Sequence, residues 1–161
     1  FANFLDEVFH FSGAGTVRFQ SGTAVGGSSD NLFILSAEVY TNASGVRFGT
    51  SLPVFDFPGT DSRSFSPGIT VDAHNRANVG CFNESGVANT VQATVFDGSG
   101  SQVGSAHLQL PAHAWGQTGL AVSVTGGYVQ FDPSAPADCY AVVVNNTTND
   151  GRLVAAVEYT P

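Results

Sequence analysis

The apolar residues of this chain alternate with polar ones, or form short β-branched runs, along nearly its whole length. Gly, Asn, Asp, Ser or Pro interrupts these runs about every 8 to 12 residues. That spacing is typical of an antiparallel sandwich, and the sequence therefore predicts an all-β, antiparallel Ig-like β-sandwich. The predicted strands are 15–20, 31–41, 46–55, 67–72, 77–83, 89–97, 102–110, 113–123, 127–131, 138–146 and 152–159.

Two short polar segments predict hairpins. Residues 97–100 read Asp-Gly-Ser-Gly and residues 149–151 read Asn-Asp-Gly, and each segment lies between apolar strand residues. These residue types favour tight turns because they accept left-handed backbone conformations or form local hydrogen bonds. We expect each turn to join two neighbouring antiparallel strands.

Residues 5–11 are the one place where the sequence allows a short helical turn. Asn3 would act as its N-cap, and Asp6 and Glu7 would lie in the first turn, where acidic residues are favourable. The phenylalanines of this segment suit a strand equally well. Both interpretations stay open on the sequence alone.

The phenylalanines divide the chain unevenly. Ten of the thirteen lie before residue 67, whereas later strands use Val, Ala and Leu. The join falls in the polar, proline-bearing segment 57–67. We predict an N-terminal strand segment at 1–66, as a partial module or a set of assembly strands, and a β-sandwich domain at 67–161. The alternative is that residues 1–66 complete one larger sandwich.

The charge composition excludes several partners. Five arginines, no lysine and thirteen acidic residues give a net charge of −8, which leaves no basic surface to neutralise phosphates. No apolar run reaches the roughly 18 residues of a membrane span. We therefore expect neither nucleic-acid binding nor membrane insertion, and we interpret Phe1 as a processed or trimmed end.

The two cysteines predict a disulfide. Cys81 and Cys139 each lie in an apolar strand pattern, outside any Cys-x-x-Cys motif and without His or Cys at metal-ligand spacing. We expect the bond to tie two strands of the sandwich as an inter-sheet pair, and two buried free thiols are the alternative. A paired-cysteine pattern, the acidic composition and the absence of lysine indicate an exported protein, extracellular or on the cell surface.

Four sequons mark candidate glycosylation sites. They begin at Asn42, Asn83, Asn145 and Asn146, and the last two overlap. Such triplets also arise by chance in a chain rich in Ser, Thr and Asn.

The chain contains few residues arranged for catalysis. It has no Gly-x-Ser-x-Gly motif and no Asp-x-Asp-x-Asp-Gly calcium loop. Asp72 with His74 is the best acid–base pair, and a polar outer face before a turn is the alternative. His107 and His113 could form a metal pair, but the favoured interpretation is that they are exposed histidines on strands. We predict no catalytic residue, no metal and no cofactor.

Several segments together resemble an uncharacterised β-sandwich module that recurs in secreted and surface proteins of environmental bacteria. They are Arg-Ala-Asn-Val-Gly-Cys-Phe-Asn at 76–83, Val-Phe-Asp-Gly-Ser-Gly at 95–100, Leu-Pro-Ala-His-Ala-Trp-Gly-Gln at 110–117, and the Tyr-to-Asp segment 140–150. Cys81 and Cys139 replace ordinary apolar or small residues of that pattern. The resemblance covers residues 76–161 and implies the fold and the exported compartment, without any established chemistry.

Residues 5–49 look like the tail of a preceding sister module, with its first strands missing. Such strands have unpaired edges that another strand can cover by β-augmentation. We interpret Phe4, Phe9, Phe11, Val17 and Phe19 as an assembly strand. Repeated head to tail, strand donation gives a fibre.

The sequence thus predicts a non-enzymatic, extracellular structural or assembly module of a bacterial surface or secreted protein. Its partner would be another copy of the chain or a sister subunit. The alternative is a carbohydrate-binding or adhesion module in which Trp115, Tyr128 and Tyr140 stack on sugar rings and a glycan is the partner. A single Trp in a β-protein is also typical of a core position.

Overall fold

A computed structural model describes residues 4–12, 17, 37–43, 45–52 and 61–158. The chain divides into two compact units, Phe1–Phe33 and Ile34–Pro161. None of the helices in the described ranges is long and apolar enough to cross a membrane.

The first unit contains a short helix. Helix α1 spans Phe4–Phe9, with Asp6 and Glu7 in its first turn, and it ends where His10 adopts a left-handed conformation with φ of 51°. The helical interpretation of this segment is thus the one found. For Phe4 and Phe9 the assembly-strand prediction is wrong in this structure, because the local acid pattern favours a helix.

The remaining assembly-strand residues lie in no described strand. Phe11 follows α1 outside any regular element, and so does Val17. Phe19, like the predicted cap Asn3, lies outside the described residues.

The second unit begins with a two-stranded hairpin. Strand β1 spans Ala37–Ala43 and β2 spans Val46–Leu52, and the two pair antiparallel. Gly45 between them has a φ of 77°, a conformation that glycine adopts without steric cost.

Nine further strands form two antiparallel sheets, which confirms the predicted all-β sandwich. The four-stranded sheet has the order β10-β9-β4-β7, and the five-stranded sheet has the order β11-β3-β8-β5-β6. The strand bounds are β3 Ser64–Val71, β4 Asn75–Asn83, β5 Asn89–Phe96, β6 Gln102–Leu110, β7 Trp115–Gly119, β8 Val124–Pro133, β9 Ala137–Asn145, β10 Gly151–Ala155 and β11 Val157–Glu158.

The core consists mainly of small and β-branched side chains from the two inner faces. Alternate residues point inward along each strand, and the sequence alternation reflects this directly. Phe131 is the largest fully buried side chain. The other core residues include Ile69, Ala77, Val79, Val91, Ala93, Val95, Val129 and Ala141.

The two predicted hairpins are present. The turn at residues 97–101 joins β5 to β6, and residues 145–150 join β9 to β10. Asn149 has a φ of 60°, as its position in the predicted turn requires.

The predicted join between the two parts of the chain lies at the start of β3. This strand begins at Ser64, three residues before the predicted strand at 67, and the Ser66 hydroxyl donates a hydrogen bond to the Val154 carbonyl. The predicted boundary between residues 66 and 67 therefore falls inside β3. The assignment of residues 1–66 to a partial module or a set of assembly strands stays a prediction.

The two sides of the sandwich differ in how the sheets meet. On one side the chain passes directly from β10 in one sheet to β11 in the other, and the Ala156 amide donates to the Cys139 carbonyl at 2.9 Å. On the other side the edge strands are β6 and β7, which residues 111–114 connect.

Candidate functional site

The predicted disulfide is present, but it does not link the two sheets. Cys81 on β4 lies directly opposite Cys139 on β9, with their Cα atoms 4.1 Å apart. The inter-sheet position predicted for the bond is wrong, because β4 and β9 are neighbours in the four-stranded sheet and their register places the cysteines side by side. Both residues are buried. The bond fits an exported protein that folds in an oxidising compartment.

The outer face of the four-stranded sheet carries a cluster of aromatic and amide side chains. We define this aromatic face by Phe82 on β4, Trp115 and Gln117 on β7, and Tyr140 on β9. The register places Trp115 opposite Phe82, and it places both Gln117 and Tyr140 opposite Gly80. Three adjacent strands therefore contribute to one surface.

Tyr140 lies over the backbone of Gly80. A side-chain carbon at position 80 would lie 2.8 Å from Tyr140 Cε1, closer than a real contact allows. Only glycine fits there, and its missing side chain lets the tyrosine ring cross β4 towards β7. Gly80 is not among the site residues predicted from the sequence. Its role could be predicted only from its position opposite the aromatic residue Tyr140, and that position requires knowledge of the strand register.

Two consecutive hydrogen bonds link three side chains of this face, Trp115, Tyr140 and Gln117. Trp115 Nε1 donates to the Tyr140 hydroxyl at 3.1 Å, and the Tyr140 hydroxyl donates to Gln117 Oε1 at 2.8 Å. Partial burial raises the pKa of Tyr140, and the hydrogen bond from Trp115 opposes this effect. The phenol is therefore neutral and available as both donor and acceptor at physiological pH.

The three residues predicted to stack on sugars do not form one surface. Trp115 and Tyr140 are together, whereas Tyr128 lies on β8 in the five-stranded sheet. There it stacks on Phe96 with ring centroids 5.1 Å apart and contacts Phe65 at 6.0 Å. The common surface predicted for all three is wrong, because alternation gives the face of a strand and not the sheet to which it belongs. Trp115 is 39% exposed, so the core alternative is also wrong for this residue.

Among the described residues, strand β6 is an edge of the five-stranded sheet, with one irregularity near its start, where Gln102 and Gly104 lie opposite the consecutive β5 residues Phe96 and Val95. It is nine residues long and contains no proline and no Asp, Glu, Lys or Arg. The other edges are shorter or protected: β11 has two residues and β7 has five. Strand β10 carries Arg152 and packs against β2. We call Gln102–Leu110 the β6 edge.

The predicted acid–base pair belongs to the turn between β3 and β4. Asp72 Oδ1 accepts hydrogen bonds from the backbone amides of His74 and Asn75, both at 2.8 Å, and from Asn75 Nδ2 at 3.0 Å. These bonds, with the His74 amide first, lower the pKa of Asp72. The carboxylate therefore closes a turn, which was the structural alternative for this pair.

The two histidines considered as a metal pair lie in different elements. His107 is exposed on β6, and His113 lies in the connection to β7 with a φ of 55°. Within the described ranges, no group of three or more His, Cys, Asp and Glu residues is arranged to hold a metal ion.

One of the predicted glycosylation sites is closed in the folded protein. Asn83 is fully buried, and its amide nitrogen donates to the carbonyls of Val87 at 2.7 Å, Pro111 at 2.8 Å and Leu110 at 3.3 Å. Its Oδ1 accepts from the amide and the hydroxyl of Ser85, the third residue of the same sequon. Glycosylation at Asn83 is therefore contradicted, since this amide is needed to satisfy buried backbone groups.

The other sequons differ in accessibility. Asn145 Oδ1 accepts the backbone amides of Thr147 and Thr148 within the β9–β10 turn. Asn146 is exposed and accepts a hydrogen bond from Arg76. Asn42 lies on β1, and its side chain is outside the described part.

Comparisons with known proteins support the fold alone. No protein-family model matches the chain, and no curated protein matches it. The crystal structure of Thermotoga maritima 1070 is similar, with a TM-score of 0.52 and 10% sequence identity. The similarity covers 65% of this chain and 97% of that chain. A sandwich of this kind therefore makes up nearly the whole of another, very different sequence.

Proposed function

We propose that this chain is a non-enzymatic extracellular structural module of a bacterial surface or secreted protein, and that it assembles by strand addition at the β6 edge. The observation that carries the proposal is the nine-residue strand at the end of the five-stranded sheet, which contains no proline and no Asp, Glu, Lys or Arg. Such an edge presents a row of backbone donors and acceptors that a strand from another chain can pair with.

The contrast with the other edges supports this use of β6. Proteins normally protect an edge by making it short, by placing charge or proline on it, or by covering it. Here β11 and β7 are short and β10 is covered by β2. Of the four edge strands of the sandwich among the described residues, β6 is the longest, and it is therefore the best candidate for a contact.

The charge distribution favours β6 as the meeting point of two like chains. A net charge of −8 makes copies of the chain repel one another. The side chains of β6 bring no acidic residue into the contact, and the exposed ones include Val103, Ser105, His107 and Gln109. The proposed partner is a second copy or a sister subunit. Because β6 is the one edge proposed as a contact, pairing of two copies through it gives a closed dimer rather than a filament.

The compartment agrees with this proposal. A disulfide persists in oxidising surroundings, which are those of exported proteins. The resemblance of residues 76–161 to a module of bacterial secreted and surface proteins points in the same direction.

The experiment compares two lysine pairs of equal spacing. Sedimentation velocity is measured over a range of concentrations for the wild type, for Ser105→Lys with His107→Lys on β6, and for Thr90→Lys with Gln92→Lys on β5. Strand β5 is paired on both sides, so its lysines add the same charge without touching a free edge. Thermal unfolding shows whether both variants fold.

We expect the wild type and the β5 variant to assemble with rising concentration, and the β6 variant to stay monomeric. Lysines facing each other across a strand pair repel and destabilise it. A wild type that is monomeric throughout, or two variants that assemble alike, would show that β6 is not the contact.

A further inference from the structure

We infer that the aromatic face of the four-stranded sheet, formed by Phe82, Trp115, Gln117 and Tyr140, is a binding site for a neutral polysaccharide. This site lies on a different sheet from the β6 edge. The inference is therefore independent of the proposed assembly.

The shape of this surface favours a chain of sugar rings. Because position 80 has no side chain, the Tyr140 ring lies against the strand instead of standing away from it. Phe82 is the next outward residue on β4, and Trp115 lies opposite it on β7. Neighbouring strands are about 4.8 Å apart, and outward residues recur about every 7 Å along a strand. Aromatic side chains at these spacings form an extended surface on which consecutive sugar rings can stack.

The Trp115 and Tyr140 rings are accessible, and hydrogen bonds hold their orientation. Trp115 is 39% exposed, which is unusual for a tryptophan with no role at a surface. Its indole N–H is held by Tyr140, whose own proton is held by Gln117. The rings are thus oriented before a ligand arrives, and less conformational freedom is lost on binding.

A polar group, the Gln117 amide, lies at the end of these consecutive hydrogen bonds. Gln117 uses its carbonyl oxygen to accept from Tyr140, and its exposed side chain carries two further N–H donors. An amide beside aromatic rings matches a ligand that has both apolar C–H faces and hydroxyl oxygens. A purely apolar partner would bury this amide without offering it an acceptor, which is costly.

The charge of this surface favours a neutral ligand. None of the four defining side chains is charged, and Asp138 lies opposite Phe82 at the rim. The whole chain carries −8. An anionic polysaccharide would be repelled, and it would find no arginine or lysine among these residues to compensate. A neutral polysaccharide offers hydroxyl oxygens to the Gln117 amide and C–H faces to the aromatic rings, and the negative charge of the chain does not repel it.

The test is affinity electrophoresis in native gels that contain hydroxyethyl cellulose, dextran or mannan as neutral probes, and polygalacturonate as the anionic probe. The variants are Trp115→Ala and Gln117→Ala. The matched control is Gln109→Ala, which removes an exposed glutamine from β6 instead of β7. Thermal unfolding checks folding, and Trp115→Phe replaces Trp115→Ala if the alanine variant does not fold.

We expect at least one neutral probe to retard the wild type and Gln109→Ala equally, with retardation at least about tenfold weaker in Trp115→Ala and reduced in Gln117→Ala. Trp115→Phe should keep part of the binding. The β6 lysine pair should bind like the wild type, which separates this site from assembly. No retardation by any neutral probe, equal retardation by polygalacturonate, or unchanged binding in Trp115→Ala would each overturn the inference.

Discussion

At position 80 a side chain would collide with the ring of Tyr140, so one glycine determines the geometry of the aromatic face. The backbone at this position has no positive φ, and the requirement is therefore one of space rather than of conformation. The same sheet offers a natural comparison, because a side-chain carbon at Gly119 would lie 3.4 Å from Asn78 Oδ1, an ordinary contact.

We predict that Gly80→Ala lowers the free energy of unfolding by about 1 to 3 kcal/mol, as expected for overpacking. Gly119→Ala should change it much less. Adding Tyr140→Ala to Gly80→Ala should recover part of the loss, because the two residues are in contact and their effects are coupled. Urea unfolding measures all four proteins. Equal losses in Gly80→Ala and Gly119→Ala would contradict this account.

Asn83 is the second residue on which the fold depends locally. Its side chain satisfies the carbonyls of Val87, Leu110 and Pro111, together with the amide of Ser85. The residue therefore holds the ends of β4 and β6 to the loop that follows β4.

We predict that Asn83→Ala reduces the free energy of unfolding by at least about 2 kcal/mol, because several buried groups lose their partner. Asn146→Ala removes an exposed asparagine amide and serves as the control, with a loss of about 1 kcal/mol or less. Urea unfolding distinguishes the two. A cost at Asn83 no larger than that at Asn146 would mean that water replaces the lost bonds.

The sequence predicted individual residues less well than it predicted strands, and the reason is physical. Alternation shows that Trp115, Tyr128 and Tyr140 are on strands, but sheet membership depends on pairing with residues far away in the chain. The same holds for Asn83, which looks like a surface sequon until its neighbours are known. The role of an individual side chain therefore depends on which distant strand lies beside its own and in which register the two strands pair.

Among the elements, the β4–β9 pair carries the disulfide. The bond closes a loop over a sequence separation of 58 residues, which corresponds to about 4 kcal/mol in the chain-entropy model. It also fixes the register of the two strands at the centre of the four-stranded sheet.

We predict that replacing both cysteines with alanine lowers the free energy of unfolding by about 2 to 5 kcal/mol under oxidising conditions. Under reducing conditions the wild type should approach the variant. Mass spectrometry after denaturation and alkylation without reductant should show an unchanged intact mass for the wild type. Addition of two alkyl groups there would disprove the bond.

The β5–β6 turn depends on the carboxylate of Asp97. Its Oδ1 accepts from the Ser99 hydroxyl at 2.6 Å and from the amides of Ser99 and Ser101, both at 2.9 Å. These hydrogen bonds, with the Ser99 hydroxyl first, lower the pKa of Asp97 below its ordinary value of 3.8. A lowered pKa means that the ionised carboxylate stabilises the fold above that value, and that the stabilisation is lost as the pH falls through the folded pKa.

We predict that Asp97→Asn lowers the melting temperature near neutral pH, because a neutral amide oxygen is a weaker acceptor than a carboxylate. The difference from the wild type should shrink as the pH is lowered below 3.8. Calorimetry of both proteins in the same buffers measures it. A difference that does not change with pH would show that the charge of Asp97 is not what matters.

Most of the strands could be predicted because they depend on local patterns. The turns at 97–100 and 149–151 consist of Gly, Asp, Asn and Ser, which favour turns by themselves. Apolar and polar residues alternate clearly in the strands beside them. The segment at residues 4–9 was ambiguous, since its phenylalanines suit a strand and its acids suit a helix. The pairing of Cys81 with Cys139 was predictable from their number, whereas their position within one sheet was not.

For the whole molecule, the described residues form two packed sheets whose longest edge strand is β6. The core is formed by both sheets between Ser64 and Ala156, and the similarity to Thermotoga maritima 1070 supports this architecture without indicating a use for it. The proposed use follows from what the sandwich leaves exposed, which is a long strand edge and one oriented aromatic face.

Hydrogen–deuterium exchange of assembled and dilute wild-type protein tests the central claim most directly. The account predicts that amides within Gln102–Leu110 exchange more slowly in the assembled sample, while those of the interior strand β5 do not change. Slower exchange elsewhere, with the β6 amides as fast as in the dilute protein, would contradict it.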